Sequence, residues 1–236
     1  MSILQVISLG NDIVDLFDPD TVHLIENPRF LKKVFNQSEL DAVSQTPVNL
    51  QHRHLWKLWA AKEASYKAVK RLRSDVVFSP QKFGFQMNLS KVIYQDISCV
   101  LHFTESTDYI YAWAIINKDD ASESYDREIK KNEFKVSPCE EQTSVQNWIA
   151  EFSDVEKMLN ENKMEKVPSY SKESSLCRNF ANLKIASYIQ ETKVCLEKNS
   201  TSRSSIPEIW INNAKTNHLV STSHHGRYCA VMFYPK

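Results

Sequence analysis

Glu63 and Lys67 stand one helical turn apart in the run Trp56-Lys57-Leu58-Trp59-Ala60-Ala61-Lys62-Glu63-Ala64-Ser65-Tyr66-Lys67-Ala68, with Trp59 one turn before them. Residues four apart share a helix face. A carboxylate and an ammonium stacked beside an aromatic suit a metal-held phosphate, the acid gripping the ion and the lysine facing the anion. The same spacing also describes an ordinary surface ion pair, so both readings stand on spacing alone. Two more polar runs draw attention because the chain has only three glycines and each run holds one. The first is Leu9-Gly10-Asn11-Asp12-Ile13-Val14-Asp15, where Asp12 is either a second hard-oxygen ligand or a strand-end residue bonding its own backbone. The second is Val220-Ser221-Thr222-Ser223-His224-His225-Gly226-Arg227-Tyr228. Ser223 and His224 there supply a hydroxyl and an imidazole which, with exposed backbone N–H groups, suit a phosphate. A solvated hairpin carries the same residues.

Together the three runs resemble the signatures of the 4'-phosphopantetheinyl transferases: a Gly-x-Asp motif on a first strand, a Trp-x-x-Lys-Glu-Ala-x-x-Lys helix, and a Ser-x-Ser-His turn followed by an aromatic. Their order is that of the short holo-acyl-carrier-protein synthase type. The resemblance implies transfer of the phosphopantetheine arm of coenzyme A to a serine of an acyl or peptidyl carrier protein. The pyrophosphate is broken and adenosine 3',5'-bisphosphate leaves. It implies Asp12 and Glu63 as magnesium ligands, and Asp12, Glu63 and Lys67 as the catalytic group, with Lys67 facing the pyrophosphate. Ser223 and His224 match residues that hold coenzyme A, chiefly its 3'-phosphate. Lys62 and Arg53 are further coenzyme-binding candidates, although Lys62 lies about 100° round the helix from Glu63. His225, Arg227, Arg178 and Lys184 are cations nearby in the same elements.

Two departures accompany the resemblance. The middle position of Gly-x-Asp is usually apolar and here is Asn11. The place two residues after the Asp, often acidic in long members, is Val14, and the next acid is Asp15. The alternative to an enzyme is a non-catalytic relative that binds coenzyme A or a carrier protein. The pathway, whether fatty-acid, polyketide or nonribosomal peptide synthesis, stays open, because carrier choice depends on surface shape and charge.

Composition narrows the class. The 236 residues are 42% hydrophobic and 11% aromatic, sufficient for a sizeable core. Lys and Arg total 29, as do Asp and Glu, so no net field draws the chain to nucleic acid. No run approaches the roughly 18 apolar residues of a membrane span, and a start without basic residues that soon meets Asp12 and Asp15 is unlike a secretory signal. Five scattered cysteines without a Cys-x-x-Cys argue against zinc and against a disulfide framework, and suit a cytoplasmic protein.

The elements that must position these residues follow from pattern. A strand over 3–9 delivers Asp12 to its end, a helix over 20–35 is interrupted at Pro28, and the Glu63 helix covers 54–72. Strand-like runs at 82–87, 91–103 and 109–116 come next. The charged stretch 118–131 reads as a linker or an exposed edge. Apolar residues at helical steps predict a helix over 144–159. The polar stretch 160–175 is the expected most mobile loop. A helix over 176–196 and strands at 208–211, 218–222 and 228–234 complete the chain.

A shift of 119 residues superposes the two halves, carrying the strand at Tyr109 onto Tyr228 and Trp59–Lys70 onto Arg178–Ile189. Under it Glu63 falls on Asn182, Lys67 on Ala186 and His224 on Glu105, so neither half holds a complete set. The expectation is an α+β chain of two similar halves forming a pseudo-dimer, each with a long helix on a small antiparallel sheet. Residues 1–118 carry the Asp and Lys-Glu motifs and 119–236 the Ser-His motif, giving a monomer with one site at the seam.

Overall fold

Strand β1 (Val6–Asp15) is the strand around which the chain folds, because it has work on both faces. Side chains alternate along a strand. Ser8, Gly10, Asp12 and Val14 face helix α4 (Val48–Leu72), whereas Leu9, Ile13 and Asp15 face the second half of the chain. An irregularity between Val6 and Ser8 resets the alternation, which is why Val6 shares a cluster with Leu9. The computed structural model describes residues 5–86, 89–118, 145–162, 171–191, 193–197 and 206–236.

Between β1 and α4 lie three short helices, α1 (Pro19–Ile25), α2 (Pro28–Val34) and α3 (Gln37–Ser44). Asp18, Asn27 and Asn36 cap their N-termini with side-chain oxygens. They pack on the first half of α4, where Trp56 Nε1 donates to Thr21 O at 3.1 Å. The second half of α4 lies on the sheet through Ala60, Ala61, Ala64 and Ala68, all fully buried. That row of methyls lets the helix approach β1 so closely that a Cβ at Gly10 would stand 2.2 Å from Ala64 O.

After a 3-10 turn at Pro80–Lys82 come β2 (Gly84–Phe85), β3 (Lys91–Tyr94), β4 (Ile97–Glu105) and β5 (Tyr109–Asn117). They form an antiparallel sheet in the order β1-β5-β4-β3-β2. The second half holds β6 (Gln146–Glu151), α5 (Phe152–Glu161), α6 (Lys172–Ile189), β7 (Val194–Glu197), β8 (Glu208–Ile211), β9 (Ala214–Lys215), β10 (Leu219–His225) and β11 (Tyr228–Tyr234). Its sheets run β10-β11-β6 and β7-β8-β9. The order β6-β11-β10 repeats β1-β5-β4, and β5 and β11 begin 119 residues apart (228 − 109). One core surrounds α4 and another α6, and two smaller clusters join β1 and β5 to β10 and β11 at the seam. Among the described residues no helix is long and apolar enough to cross a membrane.

Several expected boundaries move. The helix read over 144–159 is a strand to Glu151 and a helix after it. Pairing with β11 places Trp148 and Ala150 against the α6 core and Ile149 against Tyr109 and Tyr228, a two-residue period that overrides the helical one. Helix α6 ends at Ile189, closed by Gln190 in the left-handed region (φ 59°), so Leu196 is buried in β7 instead. Helix α4 begins at Val48, directly after Pro47. Strand β1 runs past Asp12 to Asp15, and Ser223 and His224 lie within β10, paired with Ala230 and Cys229, the turn proper being Gly226. The linker read over 118–131, apart from its first residue, and positions 163–170 of the expected mobile loop lie outside the described residues.

Candidate functional site

Asp12, Glu63 and Lys67 come together where β1 crosses α4. Lys67 Nζ donates to Asp12 Oδ1 at 2.8 Å and to Asn11 O at 2.9 Å. The pair is largely enclosed, with side-chain exposures of 29% for Lys67 and 12% for Asp12. Glu63 lies one turn before Lys67 and is partly buried. Desolvation pushes its carboxyl up to about 7. The Lys67 charge pulls the other way, and the neighbouring Asp12 carboxylate raises it further. Burial works against the Lys67 ammonium, but Asp12 and Glu63 outweigh it and hold the lysine above its ordinary range.

Two carboxylates share one ammonium here, and burial is what chiefly disfavours the Glu63 anion. Asp12 and Glu63 therefore offer two hard oxygens to a divalent cation, with water or phosphate to complete its shell. No group of three or more His, Cys, Asp and Glu side chains that could hold a metal exists among the described residues.

The second half reaches this cluster through β10 and α6. Asn11 N–H donates to Ser221 Oγ at 3.2 Å and Asp15 N–H to His225 Nδ1 at 3.2 Å, so β10 runs alongside the outer edge of β1. Ser223 lies between those two residues on the same face of β10. Its buried hydroxyl finds no hydrogen-bond partner among the described residues. His224 is turned to the opposite face, as its neighbouring place on a strand requires. Its ring is 6.2 Å from that of Phe152, and its charge is felt by Glu173 at the start of α6. Cys177 of α6 donates its thiol to Ser223 O at 3.5 Å and lies within electrostatic reach of Lys67. Helix α4, strand β10 and helix α6 thus converge beside Lys67.

Two of the residues read as coenzyme contacts are engaged elsewhere. Lys62 is fully buried on another face of α4, donating to Glu39 Oε2 at 2.8 Å, Pro80 O at 3.1 Å and Val34 O at 3.2 Å. Burial lowers its pKa, with the Glu39 carboxylate opposing. It ties α3 to α4 and is not brought to Asp12. Arg53 binds Glu105 Oε2 at 3.0 Å, ten residues before Glu63 and so about 15 Å along the helix. Of the other cations, Lys184 lies over the Phe180 ring at 5.6 Å beside Asn147, Trp148 and Asp154, away from the cluster.

Three features escaped the sequence reading. Asn11, the departure from an apolar middle residue, donates through Nδ2 to Tyr111 Oη at 3.3 Å, and Tyr111 donates on to Asn147 Oδ1 at 2.6 Å. A polar residue thereby links β1, β5 and β6 across the seam. Arg71, one turn beyond Lys67 on the same row, donates to Val220 O of β10. The continued i, i+4 spacing from Glu63 through Lys67 was the available signal. Asp15 binds Arg227 through both carboxylate oxygens, at 2.8 and 2.9 Å.

The family model described as the 4'-phosphopantetheinyl transferase superfamily matches residues 8–125. No curated protein matches the chain. Among solved structures, a holo-(acyl-carrier-protein) synthase from Bacillus anthracis, in complex with CoA (3',5'-ADP), is 18% identical with a TM-score of 0.40, covering 50% of this chain and 98% of its own. An apo-ACPS from Chronobacterium ammoiniagenes is 19% identical with a TM-score of 0.40, over 47% and 95%. A holo-ACP-synthase from Plasmodium yoelii is 22% identical with a TM-score of 0.36, over 48% and 95%.

Proposed function

Because the chain belongs to the 4'-phosphopantetheinyl transferase superfamily, we propose that it moves the phosphopantetheine arm of coenzyme A onto a serine hydroxyl of a carrier protein. The observation that carries this reading is the Asp12–Glu63–Lys67 cluster, in which two carboxylates and one ammonium are held together by the close packing of β1 on α4. In the reaction the serine hydroxyl oxygen attacks the pantetheine-side phosphorus of the pyrophosphate and gives up its proton to water. The bond to the other phosphate breaks, and adenosine 3',5'-bisphosphate carries the electron pair away. Catalysis of such a transfer is mostly positioning and charge neutralisation.

Each residue has a part in that scheme. Asp12 and Glu63 would hold magnesium, which when bound neutralises charge on the pyrophosphate. Lys67 presents a fixed positive charge, its ammonium aimed by Asn11 O and Asp12 Oδ1. Ser223 and His224 would hold the nucleotide end from the second half. The halves, 1–118 and 119–236, act as a fused pseudo-dimer with one site per chain. In α6 the position matching Glu63 is Asn182, whose side chain is committed to Leu196 N–H at 2.9 Å, so the second helix keeps a structural role without the acid. The protein is then a monomer, and sedimentation as an obligate trimer would contradict that.

The deciding experiment mixes the chain with coenzyme A, magnesium and an apo carrier protein and weighs the carrier. A mass gain of one phosphopantetheine per carrier is expected, and its dependence on magnesium is part of the reading. Coenzyme A binding without any mass gain on a panel of carriers would instead identify a binding relative.

A further inference from the structure

We propose that Asp15 is a positioning residue that docks the hairpin of β10 and β11, with Ser223 and His224, onto the strand that carries Asp12. The two strands need such a device. β1 and β10 run side by side but belong to different sheets, so no ladder of backbone hydrogen bonds fixes their register. Their alignment rests on side chains: Ser221 at Asn11, His225 at Asp15, Arg71 at Val220, and the Asp15 carboxylate at the turn.

Asp15 is the strongest of these. Its side chain is only 2% exposed, and Arg227 donates to it from Nε at 2.8 Å, Nη2 at 2.9 Å and the backbone N–H at 3.0 Å. Phe17 N–H adds a fourth bond at 3.0 Å. Paired guanidinium–carboxylate bonds fix direction as well as distance. The turn is shaped to the carboxylate. Gly226 has φ +52°, and a Cβ there would lie 2.6 Å from Asp15 Oδ2. Phe17 and Tyr228 flank the guanidinium, which lies 5.6 and 5.1 Å from their ring centres. Burial alone would raise the Asp15 carboxyl, but the Arg227 and Phe17 bonds prevail and hold it below the ordinary carboxylate range. Arg227 stands four residues from Ser223 and three from His224, and Asp15 three from Asp12, so the clamp sets the offset between the two motifs.

For its consequence in catalysis the proposal rests on the coenzyme reading of the Ser-His strand. The test therefore has two readouts on the full chain. Hydrogen exchange over 219–228 is followed in wild type, D15N, R227K and R227M, and coenzyme A and 3'-dephospho-coenzyme A are titrated into each without magnesium. Arg227 is half exposed and R227K keeps a cation opposite the buried Asp15, so R227K retains the fold even where D15N or R227M does not. Expected are about tenfold faster exchange over 219–228 in D15N and R227M, with R227K intermediate, and about tenfold weaker coenzyme A binding against a change under about threefold for the dephospho form. Unchanged exchange overturns the docking. Faster exchange with both ligands weakened alike overturns the positioning role. A wild type that does not distinguish the two ligands overturns the reading of the Ser-His strand and Asp15's part in coenzyme recognition, while exchange still decides the docking.

Discussion

Lys67 Nζ lies 2.8 Å from Asp12 Oδ1, joining residues 55 apart in sequence across the contact of β1 with α4. The bond exists because α4 presents alanine methyls to a glycine in β1, so two backbones come close enough for a lysine stem to reach the strand's outer carboxylate. Charge and packing are one device here, and each can be perturbed separately.

Glu63→Gln perturbs the charge. The swap is nearly isosteric, so the fold is retained, but a hard-cation ligand is lost and most magnesium-dependent transfer should go with it. Stability also reports on this residue. The folded protein raises the Glu63 carboxyl from 4.5 to about 7, so the fold favours the neutral acid. The favourable contribution is complete below pH 4.5 and is lost as pH rises through 7, a change on the order of 1–3 kcal/mol. Glutamine cannot ionise, so the stability gap between wild type and E63Q should drift over that window in denaturant melts. Magnesium should recover stability above pH 7 in wild type alone. Full turnover by E63Q, or a flat gap, would remove Glu63 from the site.

Gly10→Ala perturbs the packing. The new methyl would meet Ala64 O at 2.2 Å, Ala68 N at 2.5 Å and Lys67 Cβ at 2.8 Å. All three lie on the helix that must stay against the strand, so no flexible side chain can absorb the clash. A loss of about 3 kcal/mol or more is expected in urea unfolding. A stability within error of wild type would mean that the close approach does not hold.

Gly10, Asp12, Glu63 and Lys67 drew attention because their runs resemble a family's motifs, whereas spacing alone left an ordinary surface ion pair open. Partners distant in sequence were not legible: Asn11 with Tyr111 within the first half, and Arg71 with Val220 and Asp15 with Arg227 across the seam, are 100, 149 and 212 residues apart. The 144–159 stretch failed for a related reason. Trp148, Ile149, Phe152 and Val155 fit a helical period locally, but β11 was waiting for a partner strand. Neighbourhood outside the segment decided its form, and no window of residues contains that neighbourhood.

Lys62 illustrates the same limit at one side chain, and gives a test by stability. Its ammonium bonds to Glu39, which also accepts from Asn36 N–H at 3.0 Å and closes a capping box on α3. Lys62→Met should cost about 3–5 kcal/mol, because Glu39 is left charged and buried without its partner. Adding Glu39→Gln should recover most of that, since glutamine keeps the capping box and needs no cation. Calorimetric melts of the single and double variants measure the recovery. A K62M protein of normal stability that binds coenzyme A weakly would instead return Lys62 to the site.

His224 carries the prediction that depends most on the second half. Its ring faces the Phe152 side of β10, near the start of α6, while its neighbour Ser223 faces β1. If the imidazole meets the 3'-phosphate of coenzyme A there, His224→Ala should weaken coenzyme A roughly ten- to a hundredfold, the scale of a hydrogen bond to a charged group. The weakening of 3'-dephospho-coenzyme A should be much smaller. The contrast should grow as pH falls through the imidazole range, because the protonated ring donates from both nitrogens. Glu173 is close enough to feel that charge, so Glu173→Gln should shift the pH at which the contrast appears without abolishing it. Calorimetry of both ligands at several pH values reads all of this directly. Equal weakening of the two ligands would show that His224 does not contact that phosphate. No change in either would put the α6 side of β10 outside the site and leave Ser223, on the β1 side, as the strand's contribution.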